Sequence, residues 1–281
     1  MKRWPTVSCI CITRNRRLFL RQAVSYYDRA QFNYRNFLMQ QGWSQPPHPE
    51  LIVVDGSDHA LSPQPTCEEA WVPNVRYIHR SGDVMRAGLS HNIACEEAKG
   101  DIIVQWDDDD WQHPWRIVRQ VETLLQAPGD AFAYTSRYYW YHLQQAKACK
   151  AKSWPGAEGS TGATFAYWKE TWKKTPFEDI PTGEDVPFQR ALQERGCPML
   201  DSKEEDLILY VRHNQNGSVL TNYQWNEEDT LAARRMVGSD LDFYDGIGEL
   251  LPVANWNHPN APGSKVHVMN PLQQVWSRHH R

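Results

Sequence analysis

Residues 102–110 read Ile-Ile-Val-Gln-Trp-Asp-Asp-Asp-Asp. The apolar, β-branched start of this stretch predicts a buried strand over 102–106. That strand runs directly into four adjacent carboxylates. A pair of carboxylates about 4 Å apart costs roughly 1 kcal/mol in water and several times more near a protein interior. A hard divalent cation with oxygen ligands is the natural counter-charge. In extended chain the side chains of residues i and i+2 lie on one side, so Asp107 and Asp109 are expected to address one object. The competing explanation is an acidic turn or helix N-terminus ahead of His113-Pro114, where carboxylates are favoured.

Working outward, residues 7–12 (VSCICI) form a second β-rich run and end in the polar turn TRNR at 13–16. Mixed helical spacing predicts a helix over 18–38. A buried-type strand follows at 51–54 (LIVV), closed by Asp55-Gly56-Ser57-Asp58, with a weaker strand at 75–78. Residues 88–99 read as a helix, with Ser90 as its cap and Gly100 as its stop. Beyond the aspartates a helix is expected over 115–125, a strand over 131–135, a helix over 185–195 and a strand over 207–211. Residues 138–160 show no regular pattern, and 159–167 are glycine-rich and then β-like. Past residue 222 a helix is expected at 227–237. Residues 252–271 are rich in Pro, Asn and His without periodicity, and the His-rich residues 277–281 read as a solvated tail. Strands alternating with helices predict an α/β domain with a mostly parallel sheet. In such sheets ligands bind outside the carboxyl ends of the strands. The clusters at 13–16, 55–58 and 107–110 all fall there.

Composition narrows the class. With 281 residues the chain is one large domain, or one domain with an appendage. Hydrophobic residues at 41% and charged residues at 23% are those of a globular protein. A formal charge of -4 lacks the basic balance of a phosphate-backbone binder. The six cysteines include no C-x-x-C pair, and Cys9 and Cys11 sit in an apolar run, so buried free thiols in a reducing compartment are expected. No apolar run approaches the ~18 residues of a membrane span, and the N-terminus has no apolar signal core, so a cytoplasmic location is expected. Thirteen tryptophans imply extensive aromatic packing, some of it suited to the C–H faces of sugars.

In their order and spacing these segments resemble the family 2 glycosyltransferases over about residues 5–218. VSCICITRNR resembles that family's first strand and its T-Y-N-R turn at the nucleoside pocket: Thr13, Asn15 and Arg16 match, and Arg14 stands where Tyr is common. LIVVDGSD resembles V-V-D-D-G-S, with Asp55 alone where the family often has two acids. Arg86 to Asn92, followed by Ala-Lys-Gly-Asp at 98–101, resembles the helix before the metal strand, whose Arg and Asn face the nucleotide. Asp107 to Asp109 matches the D-x-D motif. The resemblance puts Asp107 and Asp108 at the donor, and Asp109 with Asp107 on Mn²⁺ or Mg²⁺. Thr-Gly-Glu-Asp-Val-Pro-Phe at 182–188 resembles the E-D motif, which implies Asp185 as general base with Glu184 as its alternate. Tyr-Val-Arg-His-Asn at 210–214 resembles the late R-H turn, which brings His213 to the metal or the diphosphate.

The fold implied is GT-A: a Rossmann-like, mostly parallel mixed sheet flanked by helices. Residues 1–222 would form it, 1–110 as the nucleotide-binding half and 111–222 as the acceptor half, with 223–281 as a helical or irregular C-terminal extension. The implied activity is transfer of a hexosyl or pentosyl group from a nucleoside-diphosphate sugar, a UDP-sugar first, to an acceptor hydroxyl with inversion. The acceptor stays open among a glycan, a lipid-linked sugar, a protein, a metabolite and a modified nucleic-acid base. Self-association into a homodimer also stays open. The Q-x-x-R-W element of processive members is absent, which argues against a polymerising synthase. Two other functions share this residue pattern. A nucleotidyltransferase would carry a Gly-rich phosphate loop after the first strand, where TRNR stands instead. A non-catalytic nucleotide-sugar binder would not need Glu184-Asp185.

Overall fold

The computed structural model describes residues 4–61, 72–80, 86–151, 161–213, 216 and 224–250. The chain begins with β1 (Val7–Thr13), α1 (Arg17–Gln40), β2 (Glu50–Asp55), β3 (Val75–His79), α2 (Ala87–Glu97) and β4 (Ile102–Gln105). It continues through β5 (Trp111–Gln112), α3 (Arg116–Leu124), β6 (Phe132–Tyr134), β7 (Tyr139–His142) and β8 (Lys147–Lys150). A 3₁₀ turn at Gly162–Thr164 leads into β9 (Ala166–Trp168), α4 (Lys169–Lys174), α5 (Asp185–Glu194), β10 (Met199–Asp201) and β11 (Ile208–Arg212). Two helices close the described chain, α6 (Glu227–Val237) and α7 (Leu241–Leu250).

A seven-stranded sheet in the order β10-β6-β9-β4-β1-β2-β3 forms the centre. β1 pairs in parallel with both β2 and β4, and β2 with β3. Only β9 runs against its neighbours, β4 and β6. Strands buried on both faces read as continuous apolar runs, which is why 7–12, 51–54 and 102–105 are legible in the sequence. Alternate residues split the core. Cys9, Cys11, Leu51, Val53, Ile102 and Val104 pack with Leu20, Val24 and Tyr27 of α1. Ile10, Ile52, Val54 and Ile103 pack with Ala94 and Cys95 of α2 and Phe188 and Leu192 of α5. Trp106 is fully buried, and its indole N–H donates to the Ala23 carbonyl of α1 at 3.0 Å. The strand tip that carries the aspartates is thereby anchored to the helix above it.

A second sheet, β5-β11-β7-β8, adjoins the tip. It corrects the expectation of irregular chain over 138–160: Tyr139 to His142 and Lys147 to Lys150 pair antiparallel, while residues 152–160 lie outside those described. The hairpin escapes a sequence reading because its turn places Ala146 at φ 51, a left-handed conformation that Gly or Asn would have advertised. Ser90 is likewise not a cap. α2 starts at Ala87, and its first free N–H groups are satisfied by another part of the chain: Ala87 N–H donates to Pro181 O at 3.1 Å and Gly88 N–H to Ile180 O at 3.2 Å. A Cβ on Gly88 would fall 1.8 Å from the Glu178 carbonyl oxygen, so only glycine lets residues 178–181 lie against this helix.

Ala233, Val237, Leu241, Tyr244 and Ile247 of the last two helices belong to the same core as β1 and α1. Asp240 ties them down, accepting from Arg29 at 2.8 Å and from the Trp111 indole at 2.8 Å. Residues 252–271, the tail at 277–281 and Cys67 lie outside the described chain. The five described cysteines are buried thiols. No described helix is long and apolar enough to cross a membrane.

Asp130 joins three elements at the far end of the sheet. Its carboxylate takes Arg195 at 2.8 and 3.1 Å, Lys174 at 2.7 Å and Thr171 at 3.0 Å. The Arg195 hydrogen bonds hold its pKa well below the ordinary value. A depressed carboxylate stabilises the fold above its unfolded pKa, near 3.9, and loses that contribution as pH falls through the folded value. Asp130→Asn is expected to cost roughly 1 kcal/mol at pH 7, the scale of a partly screened ion-pair network, or about 3 °C in Tm. Thermal melts from pH 7 to 3 check this: the difference between variant and wild type shrinks below pH 4.

Candidate active site

The four aspartates follow β4 and bend away from extended geometry at residues 108–110. Ligand oxygens of Asp107, Asp109 and Asp110 come within 4.8 Å of one another, an arrangement that can hold a metal ion. Asp107 and Asp109 therefore converge as expected, through a bend instead of strand alternation, and Asp110 joins them. Asp108 turns the other way. It accepts from Thr13 Oγ1 at 2.6 Å and from Arg16 at 2.8 Å.

Asp109 is the best-supported carboxylate. Its Oδ2 accepts from Arg16 at 2.6 Å, His213 Nε2 at 3.0 Å and Asn216 Nδ2 at 3.1 Å. Burial pushes its pKa up, but the Arg16 guanidinium and His213 outweigh that and hold it below the usual range. Its neighbours go the other way. Burial, reinforced by Asp109, raises both Asp107 and Asp110. Burial also raises Asp108, against the pull of Arg16.

Asp110 Oδ1 accepts the Val211 N–H of β11 at 2.7 Å. Its Oδ2 is buried without a hydrogen-bond partner among the described residues. An orphaned buried carboxylate oxygen and three carboxyls held above their normal range mark negative charge in excess of what the surrounding donors balance. A divalent cation with hard oxygen ligands fits that donor set.

His213 is fully buried and stacks on Phe19 of α1, with ring centroids 4.7 Å apart. Burial lowers its pKa, so the ring is neutral near pH 7. Opposite an ionised Asp109, its Nε2 must be the protonated nitrogen. In this arrangement His213 orients the Asp109 carboxylate.

Asp185 and Glu184 open α5. Asp185 Oδ2 accepts the Gly162 N–H at 3.0 Å and Oδ1 the Val186 N–H at 3.0 Å. Burial, then the neighbouring Glu184, raises its pKa. Glu184 occupies the N-cap position but makes no side-chain cap. Its carboxylate instead lies 3.1 Å from His91 Nδ1 of α2. Burial raises Glu184, and the His91 contact more than offsets it, leaving the acid lowered. His91 feels both Asp107 and Asp185, so the two acidic groups, 75 residues or more apart in sequence, share one electrostatic neighbourhood.

The remaining predicted residues sit around this centre with contacts of their own. Asp55 is buried and accepts from Ser57 N–H at 2.9 Å, from the Ser57 hydroxyl, from Leu61 N–H at 3.2 Å and from the Tyr77 hydroxyl. Any contact with a base would replace one of these. Asn15 adopts φ 55, a conformation Asn tolerates, and its N–H donates to Ser57 Oγ at 2.8 Å. Arg86 pairs with Asp179 at 2.9 Å. Asn92 spends its amide on the chain: it donates to Phe177 O at 2.8 Å and accepts from Phe177 N–H at 3.0 Å and the Trp172 indole at 2.9 Å.

Four residues to which the sequence reading gave no site role of their own complete the picture: Asp110, His91, Asn216 and Arg116. Arg116 is a fully buried cation below the aspartates. It donates to Gln105 O at 2.7 Å, to Ala163 O at 2.5 Å, to Gln120 at 3.0 Å and to Gln112. Burial lowers its pKa to about 10, and Asp107 and Asp110 act against that. It thereby ties the end of β4 to the turn that supports Asp185. The sequence signal was an Arg nine residues after Asp107 at a helix start, which is too common to read. At Gly162 a Cβ would lie 3.1 Å from Asp185 Cβ and 3.2 Å from Gln105 Oε1. Gly162→Ala is expected to push Asp185 off its seat and lower kcat about tenfold with little change in Tm. Steady-state kinetics beside a thermal melt check this.

The family profile described as Glycosyl transferase family 2 matches residues 8–178. A comparison with curated proteins finds no match.

Proposed function

Because the chain belongs to glycosyl transferase family 2, we propose that the β4 tip binds a nucleoside-diphosphate sugar through a divalent cation, and that Asp185 is the general base for an acceptor hydroxyl. The protein is a glycosyltransferase, and its family implies a nucleotide-sugar donor and an acceptor. The observation that carries the finer reading is the convergence of Asp107, Asp109 and Asp110 within 4.8 Å at the carboxyl end of a parallel strand. Asp107 lies in the field of the same His91 that pairs with Glu184 beside Asp185.

Asp107, Asp109 and Asp110 would hold Mn²⁺ or Mg²⁺. When bound, such an ion supplies Lewis-acid stabilisation of the charge that grows on the departing diphosphate. The chain's own groups do the rest. Arg16, His213 and Asn216 fix Asp109 in one orientation. Thr13 and Arg16 fix Asp108 in place, and in this reading Asp108 meets the donor. Asp185, made more basic by burial and by Glu184, accepts the proton of the acceptor hydroxyl. As that oxygen bonds to the anomeric carbon, the bond from that carbon to the diphosphate oxygen breaks. The electron pair leaves with the nucleoside diphosphate. A single displacement of this kind inverts the anomeric centre, and the linkage of the product tests it.

The donor is proposed to be a UDP-sugar. Incubation with a panel of nucleotide sugars, with and without Mn²⁺, tests the function. Metal-dependent release of nucleoside diphosphate is the expected result. Release of pyrophosphate would make the protein a nucleotidyltransferase, and no release from any donor would make it a binding protein; either overturns the proposal.

A further inference from the structure

We propose that His91 is a positioning residue which, through Glu184, holds the start of α5 so that Asp185 faces the aspartates of β4. The inference rests on the proposed role of Asp185. His91 is 5% exposed and Glu184 8% exposed, with Nδ1 and Oε1 3.1 Å apart. The imidazole also packs against Phe177, with ring centroids 5.0 Å apart.

This contact ends a continuous seam. Asn92 grips the Phe177 backbone at both its N–H and its carbonyl. Gly88 admits the Glu178 carbonyl into van der Waals range of the helix. The N–H groups of Gly88 and Ala87 then take the carbonyls of Ile180 and Pro181. These contacts advance along residues 177–185, and the last is the 3.1 Å approach of His91 Nδ1 to the Glu184 carboxylate, at the residue next to Asp185. Gly183 between them turns through φ 76, so the backbone seam stops short of the acidic pair, and the His91–Glu184 contact spans that gap.

The pairing also has an electrostatic side. Glu184 and Asp185 are adjacent acids, both withdrawn from solvent. Without His91, Glu184 would lose the contact that lowers its pKa against burial, and its side chain would be free to rotate toward the N–H groups of the first turn of α5, which can donate to a side-chain cap at this position. That rotation would compete with the Gly162 and Val186 N–H donors that seat Asp185.

The test compares His91→Leu, which removes the contact, with His91→Asn, whose amide nitrogen falls where Nδ1 lies. In the Leu variant kcat is expected to fall about 100-fold, the scale of a displaced catalytic group, with donor KM within about threefold of wild type. The Asn variant should recover to within about fivefold of wild-type kcat. A residue of merely structural importance would move kcat and KM together and would not be rescued.

Hydrogen–deuterium exchange supplies a readout that needs no turnover. Amides of residues 184–188 should exchange at least about tenfold faster in the Leu variant and near wild-type rates in the Asn variant. If the wild-type protein turns over no donor, the transferase proposal fails and this exchange pattern alone decides the role of His91. If the Leu variant does not fold, Glu184→Gln is assayed in its place, with the same loss expected. Wild-type kcat and wild-type protection in the Leu variant, or an Asn variant as damaged as the Leu variant, would overturn the proposal.

Discussion

Asp109→Asn is expected to lower kcat/KM by at least about 10³-fold, the scale of losing a preorganised charge contact to a developing oxyanion. It should also abolish the Mn²⁺-dependent rise in Tm. Of the four aspartates, Asp109 alone is held below the ordinary pKa range, because Arg16 and His213 outweigh its burial. It is thus the carboxylate most firmly ionised near neutral pH and the one aimed by the most donors. Asparagine keeps the shape and removes the charge. Its amide oxygen can still accept from Arg16, without the charge assistance of the carboxylate. The fold should survive. The weakened contacts to Arg16 and His213 are offset by relief of repulsion from Asp107 and Asp110, so metal-free Tm should move by no more than about 3 °C. A variant that retains both metal response and transfer would remove Asp109 from the metal site.

Asp185→Asn is expected to separate binding from chemistry. Donor binding should stay within about twofold of wild type while kcat falls by roughly 10²–10⁴, the range for loss of a general base. A pH profile adds a second check. Burial and Glu184 raise the Asp185 pKa. A base works only when deprotonated, so wild-type kcat should fall as pH drops through a value above that of an ordinary aspartate, about 3.9. The Asn variant should lose that limb. Wild-type kcat in the variant would return the base assignment to Glu184, and Glu184→Gln would be the next measurement.

The parts of this molecule legible in sequence are those where burial leaves a compositional mark. β1, β2 and β4 are covered on both faces, so each is a short apolar run, and the polar residues that follow each run mark the carboxyl edge of the sheet. Asp107, Asp109, Glu184 and Asp185 stand out because closely spaced acids need a reason. Less legible were features created by contact at a distance. The hairpin of β7 and β8 turns on Ala146 in a left-handed conformation that composition does not signal. α2 lacks a side-chain cap because a segment more than 90 residues away supplies the acceptors. Asp110 joined the cluster because the chain bends after Asp107, where strand alternation would have turned it outward. His91 looked like any helical histidine until Glu184 was brought beside it. Asp55 and Asn92 show the converse: residues whose motif suggested donor contacts are engaged by Ser57, Leu61 and Tyr77, and by Trp172 and Phe177.

Anomalous scattering from Mn²⁺ in crystals grown with Mn²⁺ and uridine diphosphate examines the metal site most directly. The strongest peak should lie among Asp107, Asp109 and Asp110, within about 2.3 Å of at least one carboxylate oxygen and in contact with the diphosphate. Diphosphate density at the carboxyl edge of the sheet with no manganese peak among these three residues, or a peak ligated elsewhere, would contradict it.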